Sequence, residues 1–390
     1  MYIKSIKDRK NLLGKKILLR VDFNIPIENG KIIDDFKIQR HLLTIKYLIK
    51  NNCKIIIISH YKRPKNKDKK YSLEPIAEYL SKLLKQKINF VENCVGFEAG
   101  TAVSKMNNKD ILLLENLRFE AGEEKNSKIF AKHLAKLADI YVNDAFAVSH
   151  RYHASVCAIK NYLPSFTGLV LENEIIHLNK IKHPKKPLIV VLGGVKLTTK
   201  IPLIKKMQKK SYKILIGGAL ANNFLSAHNF EIGKSISDKK SIKIAKKIIK
   251  NENNNIIFPV DVIVGSKSDK WHPILKTLKQ VGKKDYIFDI GPNTIRLYAK
   301  YIIKANTIIW NGPLGMFEDS HYKHGTMAIG QLIASRSKGK AFGVAGGGET
   351  VEALKKSKMI KYMDWVSTGG GAMVSYLSGA KMPGLKGLIN

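Results

Sequence analysis

The sequence predicts an α/β protein built from two doubly wound parallel-sheet (Rossmann-like) domains joined by a hinge helix. Three observations carry this. The chain has 390 residues, too long for one typical core and suited to two domains. Strand-like apolar runs alternate with helix-spaced segments over residues 15–146, and again from the Pro184/Pro187 pair to about residue 375. Five apolar runs in the second half end in glycines, at residues 187–194, 213–218, 307–315, 341–348 and 365–371.

In chain order, residues 16–22 read as a strand. Residues 34–49 read as a helix, because Ile38, Leu42, Ile45 and Ile49 fall on one face. Residues 53–59 form a continuous apolar run, as in a parallel strand buried on both sides. Residues 72–84 read as a helix with Ser72 as its N-cap. A strand at 111–114, a helix at 126–138 and a strand at 140–142 complete the first series. Leu171, Ile175, Leu178 and Ile181 stand at helical spacing between the two series, as a hinge element would. Four of the five glycine-ended runs lead directly into a helix-compatible stretch. The expected division is 1–168 for the N-terminal domain, 169–183 for the hinge helix and 184–376 for the C-terminal domain. A tail at 377–390 is expected to return to the N-terminal domain.

Bulk properties narrow the function. Hydrophobic content of 44% is that of an ordinary globular protein. No apolar run approaches the ~18 residues of a membrane span, and the first ten residues lack the apolar segment of a signal peptide. Cys53, Cys94 and Cys157 are odd in number and far apart, without metal-ligand spacing, so reduced thiols and a cytoplasmic location are expected. The net charge of +37 is the size of a nucleic-acid signal, yet only eight of the 68 basic residues are arginine. The lysines are spread along the whole chain among many Ile and Asn, which reads as compositional drift, and no nucleic-acid partner is expected.

Strand, glycine turn, helix is how an α/β sheet presents backbone N–H groups to a phosphate. Five such turns at strand C-termini point to a crevice for a phosphorylated ligand. In the first half, Arg20, Arg63, Arg118 and Arg151 stand at or beyond strand ends, with His60, His150 and His153 nearby. Arginine is a rigid fork that grips phosphate or carboxylate with two bonds, so this set suits a small, multiply anionic substrate. Among the histidines, His60 lies directly beyond a buried strand and is favoured as a ligand; His150 and His153 read as scaffold.

The residues that follow carry a resemblance. Arg20-Val-Asp-Phe-Asn-Ile-Pro26, Ser59-His60 with Arg63-Pro64, Leu114-Glu-Asn-Leu-Arg-Phe119, Val142-Asn-Asp-Ala-Phe146 with His150-Arg151, Leu192-Gly-Gly-Val-Lys196 with Lys200, Trp310-Asn-Gly-Pro-Leu-Gly-Met-Phe-Glu318, Gly346-Gly-Gly-Glu-Thr350 and Ser367-Thr-Gly-Gly-Gly-Ala372 occur in one order over nearly the whole length. In this the chain resembles the phosphoglycerate kinase family. The resemblance implies a monomeric, hinge-bending enzyme that transfers a phosphoryl group between ATP and the carboxylate of 3-phosphoglycerate, with Mg2+ as cofactor. It implies 3-phosphoglycerate binding in the N-terminal domain by Asp22, Phe23, Asn24, Lys37, His60, Tyr61, Lys62, Arg63, Arg118 and Arg151. For the Mg-nucleotide, bound in the C-terminal domain, it implies Gly193, Gly194, Lys200, Gly217, Gly218, Asn311, Pro313, Glu318, Gly346, Gly347, Gly348, Glu349 and Thr350, with Glu349 as the metal ligand through the nucleotide. Catalytic roles fall on Lys37, Lys196, Lys200, Gly348 and Gly371. Direct transfer needs two anions in line and charge stabilised between them, with no nucleophilic side chain, and that matches this inventory.

Four changes, over five positions, depart from the family pattern. Lys37 stands for an arginine, and Arg40, three residues on, could share its role. Glu349 stands for an aspartate, Ala219 for a third glycine, and Tyr61-Lys62 for Leu-Gly. Two rival readings exist. A nicotinamide-dependent dehydrogenase would need Gly-x-Gly-x-x-Gly after the first strand, where Arg-Val-Asp-Phe-Asn stands. A catalytically weakened homologue kept as a basic binding protein would keep the fold and lose turnover.

Overall fold

The computed structural model describes residues 2–250, 255–266 and 272–390. The chain divides into two units, Met1–Ile176 with Lys381–Asn390, and His177–Ala380.

Unit 1 runs through β1 (Lys16–Arg20), a hairpin of β2 (Ile27–Glu28) and β3 (Lys31–Ile32), α1 (Phe36–Lys50), β4 (Lys54–Ile58), α2 (Glu74–Leu84) and β5 (Ile88–Val91). It continues through α3 (Phe97–Ser104), β6 (Ile111–Leu114), the single turn α4 (Ala121–Glu124), α5 (Lys128–Ala135), β7 (Ile140–Asn143), β8 (Ser165–Thr167) and the start of α6 (Leu169–Lys182). Six strands pair in parallel in the order β5-β6-β4-β1-β7-β8. Successive strand residues point to opposite faces, so Leu19, Ile55, Ile57 and Val142 enter one core and Leu18, Ile56, Ile58 and Tyr141 the other. Both faces are covered, which is why these strands read as unbroken apolar runs.

Helix periodicity resolves as expected. α1 buries Ile38, Leu42 and Ile45, with Ile49 half-buried at its end, and α6 buries Leu171, Ile175, Leu178 and Ile181 completely. The expected N-cap at Ser72 is corrected: α2 starts at Glu74, and its cap position is Leu73, without a side-chain bond. Ser72 Oγ accepts the Glu74 N–H (3.1 Å), and buried Glu115 accepts the Leu73 N–H (2.9 Å) and the Ser72 hydroxyl (2.7 Å). Ser72 thus bonds the first helical N–H from outside the helix, and the Glu115 carboxylate just beyond β6 holds Ser72 and Leu73 in place.

Unit 2 runs from the rest of α6 through β9 (Leu188–Leu192), α7 (Leu197–Gln208), β10 (Lys213–Ile216), α8 (Gly218–Ala227), α9 (Lys239–Ile249), β11 (Ile256–Ile257), β12 (Asp261–Gly265), β13 (Ile274–Thr277) and β14 (Tyr286–Ile290). Then come α10 (Pro292–Ile302), β15 (Thr307–Asn311), α11 (His324–Lys338), β16 (Phe342–Gly346), α12 (Gly348–Lys356), β17 (Trp365–Ser367) and α13 (Gly370–Ser378). Its main sheet is parallel, in the order β11-β10-β9-β15-β16-β17. All five glycine-ended runs are strands of this one sheet. A second sheet, β13-β12-β14, is antiparallel and departs from the purely parallel pattern expected. The tail at Lys381–Asn390 belongs to unit 1, where Lys160 Nζ donates to the carbonyls of Pro383 (2.9 Å) and Lys386 (2.7 Å).

Candidate active site

In unit 1 the C-terminal ends of β1, β4, β6 and β7 deliver a connected polar cluster. Lys37 Nζ, from the second residue of α1, donates to Asp22 Oδ2 (2.7 Å) and to the Asn24 carbonyl (3.1 Å). Burial alone would raise the Asp22 carboxyl. The charge of Lys37 and its hydrogen bond outweigh it and hold the group well below the usual carboxylate range. Two of the three N–H bonds of Lys37 are therefore spent inside the protein, which leaves one for a ligand. Arg40 does not stand in for it: its guanidinium lies over the Phe36 ring (5.2 Å) and faces the charge of buried Glu174 in α6.

Arg20 is not a ligand either. It is fully buried and donates to Ser155 Oγ (2.9 Å), the Val21 carbonyl and His60 Nδ1 (3.2 Å). Since Nδ1 of His60 accepts, its proton sits on Nε2. Burial, then the charge of Arg20, depresses the His60 pKa well below its ordinary range, so the ring is neutral and a donor at Nε2. His153 is likewise neutral, its pKa pushed down to about 3 by burial and then by Arg20, and it lies beside buried Glu123 (3.7 Å).

Arg63, Arg118 and Arg151 form the anion-seeking part. Burial, and then the like charges of Arg151, Arg20 and Arg63 against a single opposing Glu124, push the Arg118 pKa down to about 10. Arg151 is depressed by burial and then by Arg63. Arg118 Nη1 donates to the Lys62 carbonyl, while Nη2 is buried without an acceptor. An orphaned buried donor costs about 1–3 kcal/mol, more when charged; a multiply charged anion would relieve both that and the mutual repulsion. Lys62 has φ +53°, the left-handed region that costs a non-glycine residue roughly 1–2 kcal/mol. Its N–H is held by Asn24 Oδ1 (2.9 Å). The side chains of Phe23 and Tyr61 differ from the rest: both pack in the core, so only their backbones are available to a ligand.

His41 gave no signal in the sequence and ties this cluster together. Its Nε2 accepts the Asp22 N–H (3.0 Å), and its Nδ1 meets Asp144 Oδ2 (2.8 Å). The other oxygen of Asp144 accepts the N–H groups of Val170 (2.9 Å) and Leu171 (3.2 Å) in the first turn of α6. One buried relay thus connects the Asp22 backbone to the start of the interdomain helix.

In unit 2 a cavity of about 360 Å³ opens at the C-terminal edge of the parallel sheet. Of the expected residues, Gly194, Gly218, Pro313, Glu318 and Glu349 line it. One wall, Tyr286–Phe288 with Asn222, Ile236 and Met316, was not foreseen; much of it comes from the antiparallel strand β14. Lys200 is depressed to about 8 by burial, with Glu349 acting the other way. Glu349 is raised by burial and then by Glu318, with Lys200 opposing. Two carboxylates that repel one another near a lysine fit a hard cation whose remaining ligands are phosphates. Among the described residues no group of three or more His, Cys, Asp or Glu could hold a metal unaided.

The glycines divide into two kinds. A Cβ on Gly193 would lie 1.9 Å from the Pro313 carbonyl oxygen, one on Gly217 2.5 Å from Leu314, and one on Gly346 2.8 Å from Met373. These close packing between turns. Gly347 has φ +109° and sits against Asn311 and Thr350; Asn311 donates to the Gly346 carbonyl, and Thr350 Oγ1 accepts the Gly312 N–H (2.7 Å). Gly348 and Gly371 are different: a Cβ on either would meet no protein atom within 4 Å. Gly348 begins α12 and Gly371 is the second residue of α13, and the N-termini of α7, α8, α12 and α13 all lack a side-chain cap. Lys196 occupies the cap position of α7 and is exposed. At α8 the Gly218 and Leu220 N–H groups are taken by the carbonyls of Leu314 (2.7 Å) and Gly194 (2.9 Å); uncapped helix starts with their positive ends, and lysines, are what an anion site requires.

Comparison with known proteins identifies the family. Residues 6–380 match the family model described as phosphoglycerate kinase. The phosphoglycerate kinase of Wolbachia pipientis subsp. Culex pipiens is 41% identical over 383 residues, 97% of each chain. That of Borreliella burgdorferi is 40% identical over 396 residues, 100% of each. The solved phosphoglycerate kinase of Coxiella burnetii superposes with a TM-score of 0.85 at 36% identity, covering 99% of this chain and 98% of its own. The Pyrococcus horikoshii enzyme superposes with a TM-score of 0.89 at 31% identity and the same coverage. The chain belongs to the phosphoglycerate kinase family.

Proposed function

We propose that the unit 1 cluster holds 3-phosphoglycerate and that the unit 2 cavity holds the Mg-nucleotide. By family the chain is a glycolytic phosphoglycerate kinase, which exchanges a phosphoryl group between ATP and the carboxylate of 3-phosphoglycerate. The observation that carries the division is Arg118, whose buried Nη2 lacks an acceptor while Arg63 and Arg151 repel it. In this reading the three arginines grip the substrate phosphate, and neutral His60 donates from Nε2. Lys37 offers its one free N–H to the reacting carboxylate. Glu318 takes the ribose, and Lys196 and Lys200 take the nucleotide phosphates. The open amides at Gly348 and Gly371 stabilise the group in transit. Mg2+, when bound at Glu349, neutralises charge on the phosphate oxygens. Transfer needs both anions in line and shielded from water, and a hinge at α6 would supply that.

We place the reaction in the cytoplasm, in a monomer. No helix among the described residues is long and apolar enough to cross a membrane. No observation favours the basic-binding-protein reading. The test is turnover of 3-phosphoglycerate with ATP: activity that requires Mg2+ and saturates in both substrates is expected, and its absence in folded protein would overturn the assignment.

A further inference from the structure

The lysines are dispersed along the chain, but in one place the fold gathers them around a concavity. α7 and α9 enclose a groove of about 760 Å³ in unit 2, roughly twice the volume of the nucleotide cavity. Its rim carries Lys205, Lys206 and Lys209 from α7 and Lys247 from α9, and its floor includes Ile244 and Ile248. All four lysines are exposed. No carboxylate lines the groove, and neither helix contains one. Behind it, Lys182 is depressed by burial and then by the charges of Lys210 and Lys206, so the positive field extends past the rim. Like charges around a concave, low-dielectric surface focus the potential there.

We propose that the groove between α7 and α9 binds a flexible polyphosphate anion. The donor set favours this class. Lysine is a mobile point charge without the two-bond fork that fixes a single phosphate, and a cavity of this volume accommodates a chain of several phosphates. Nucleic acid fits less well, since no aromatic side chain lines the groove to stack a base. The site is separate in sequence from the catalytic residues of α7, Lys196 and Lys200, and faces α9, which the reaction does not use.

The test compares two variants of equal charge. Lys205→Gln/Lys209→Gln/Lys247→Gln removes three of the four rim lysines. Lys105→Gln/Lys132→Gln/Lys136→Gln removes as many exposed lysines from unit 1. Binding of short-chain inorganic polyphosphate is measured by calorimetry at about 0.15 M salt, with the catalytic cavity filled by Mg-ADP and kinase turnover confirming the fold. Wild type and the unit 1 variant are expected to bind alike, with log K falling against log salt at a slope of about −3, from roughly 0.7 per lysine engaged. The groove variant is expected to lose tenfold or more in affinity at unchanged turnover. Equal loss in both variants would reduce the effect to bulk charge and overturn the site. So would displacement of polyphosphate by Mg-ADP, or no binding to wild type. Single-stranded RNA is the comparator; RNA binding as tight as polyphosphate would overturn the choice of ligand. If the groove variant does not fold, Lys209→Gln and Lys247→Gln are tested singly, and each must lower affinity.

Discussion

In the proposed division, the two units offer an anion different materials. In unit 1 the donors offered are side chains: the His60 ring and the Lys37 ammonium, each set by a buried partner, and the Arg118 guanidinium, whose Nη2 has none. In unit 2 they are mainly backbone amides at uncapped helix starts, joined by Lys196 and Lys200. The difference decides what a mutation does. A side-chain site is edited by changing a donor. A backbone site is edited only by moving or covering the chain, so its sensitive positions are glycines, and the glycines must be separated into those that serve packing and those that serve the ligand.

The largest expected effect breaks that separation directly. Gly193→Ala forces a methyl group to within 1.9 Å of the Pro313 carbonyl and should cost about 3 kcal/mol of stability or more. Gly348→Ala meets no protein atom and adds a better helix former at the start of α12. Its melting temperature should be unchanged or slightly raised while kcat falls on the order of a hundredfold, the usual cost of misplacing a reacting group by about 1 Å. Thermal melts and kinetics on the two proteins decide it; a stable, fully active Gly348→Ala would remove Gly348 from the site.

The next prediction sharpens the side-chain half. Lys37→Arg should raise kcat by about tenfold, since the fork can keep Asp22 and still give two bonds to substrate, each worth about 1.5–3 kcal/mol. An unchanged or lower kcat would show that the lysine suffices.

These predictions mark what was legible in the residues alone. Buried parallel strands such as Lys54–Ile58 announce themselves because both faces demand apolar side chains, and the glycine turns announce the sheet edge. The short β5, α3 and β8 carry too few periodic residues to stand out. The antiparallel sheet that supplies Tyr286–Phe288 to the cavity ends its strands on single glycines, Gly265 and Gly291, and lacks the glycine runs that mark the parallel edge. His41 was illegible for another reason: its partner Asp144 lies 103 residues away, and only the fold brings them together. The same holds for Glu115, which holds the residues before α2 from the end of a strand about 40 residues on, and for Arg40, whose helical spacing pointed to Lys37 while burial turned it to Glu174.

A pH dependence should distinguish the units. Lys200 titrates at about 8 in the free protein because burial disfavours its charge. Bound phosphate favours the charged form, so nucleotide affinity should be full below that pH and weaken as pH rises through it. Lys200→Arg, which keeps its charge, should flatten the profile. 3-Phosphoglycerate affinity, resting on arginines, should change little over the same window, and equal pH dependence for both ligands would count against the division. The smallest effect is expected at Glu349→Asp, which shortens the reach of the metal-side carboxylate by a methylene. Tighter Mg-ADP binding by a few-fold is predicted, and equal affinities by titration would show that the cavity tolerates either acid.

The division of the two ligands between the units is tested most directly by calorimetric titration of wild type and Arg118→Ala with each ligand in turn. The account predicts that the variant loses 3-phosphoglycerate binding by a hundredfold or more, from about 3 kcal/mol of charge-assisted bonding, and binds Mg-ADP within twofold of wild type. Retained 3-phosphoglycerate binding, or an equal loss of both ligands, would contradict it.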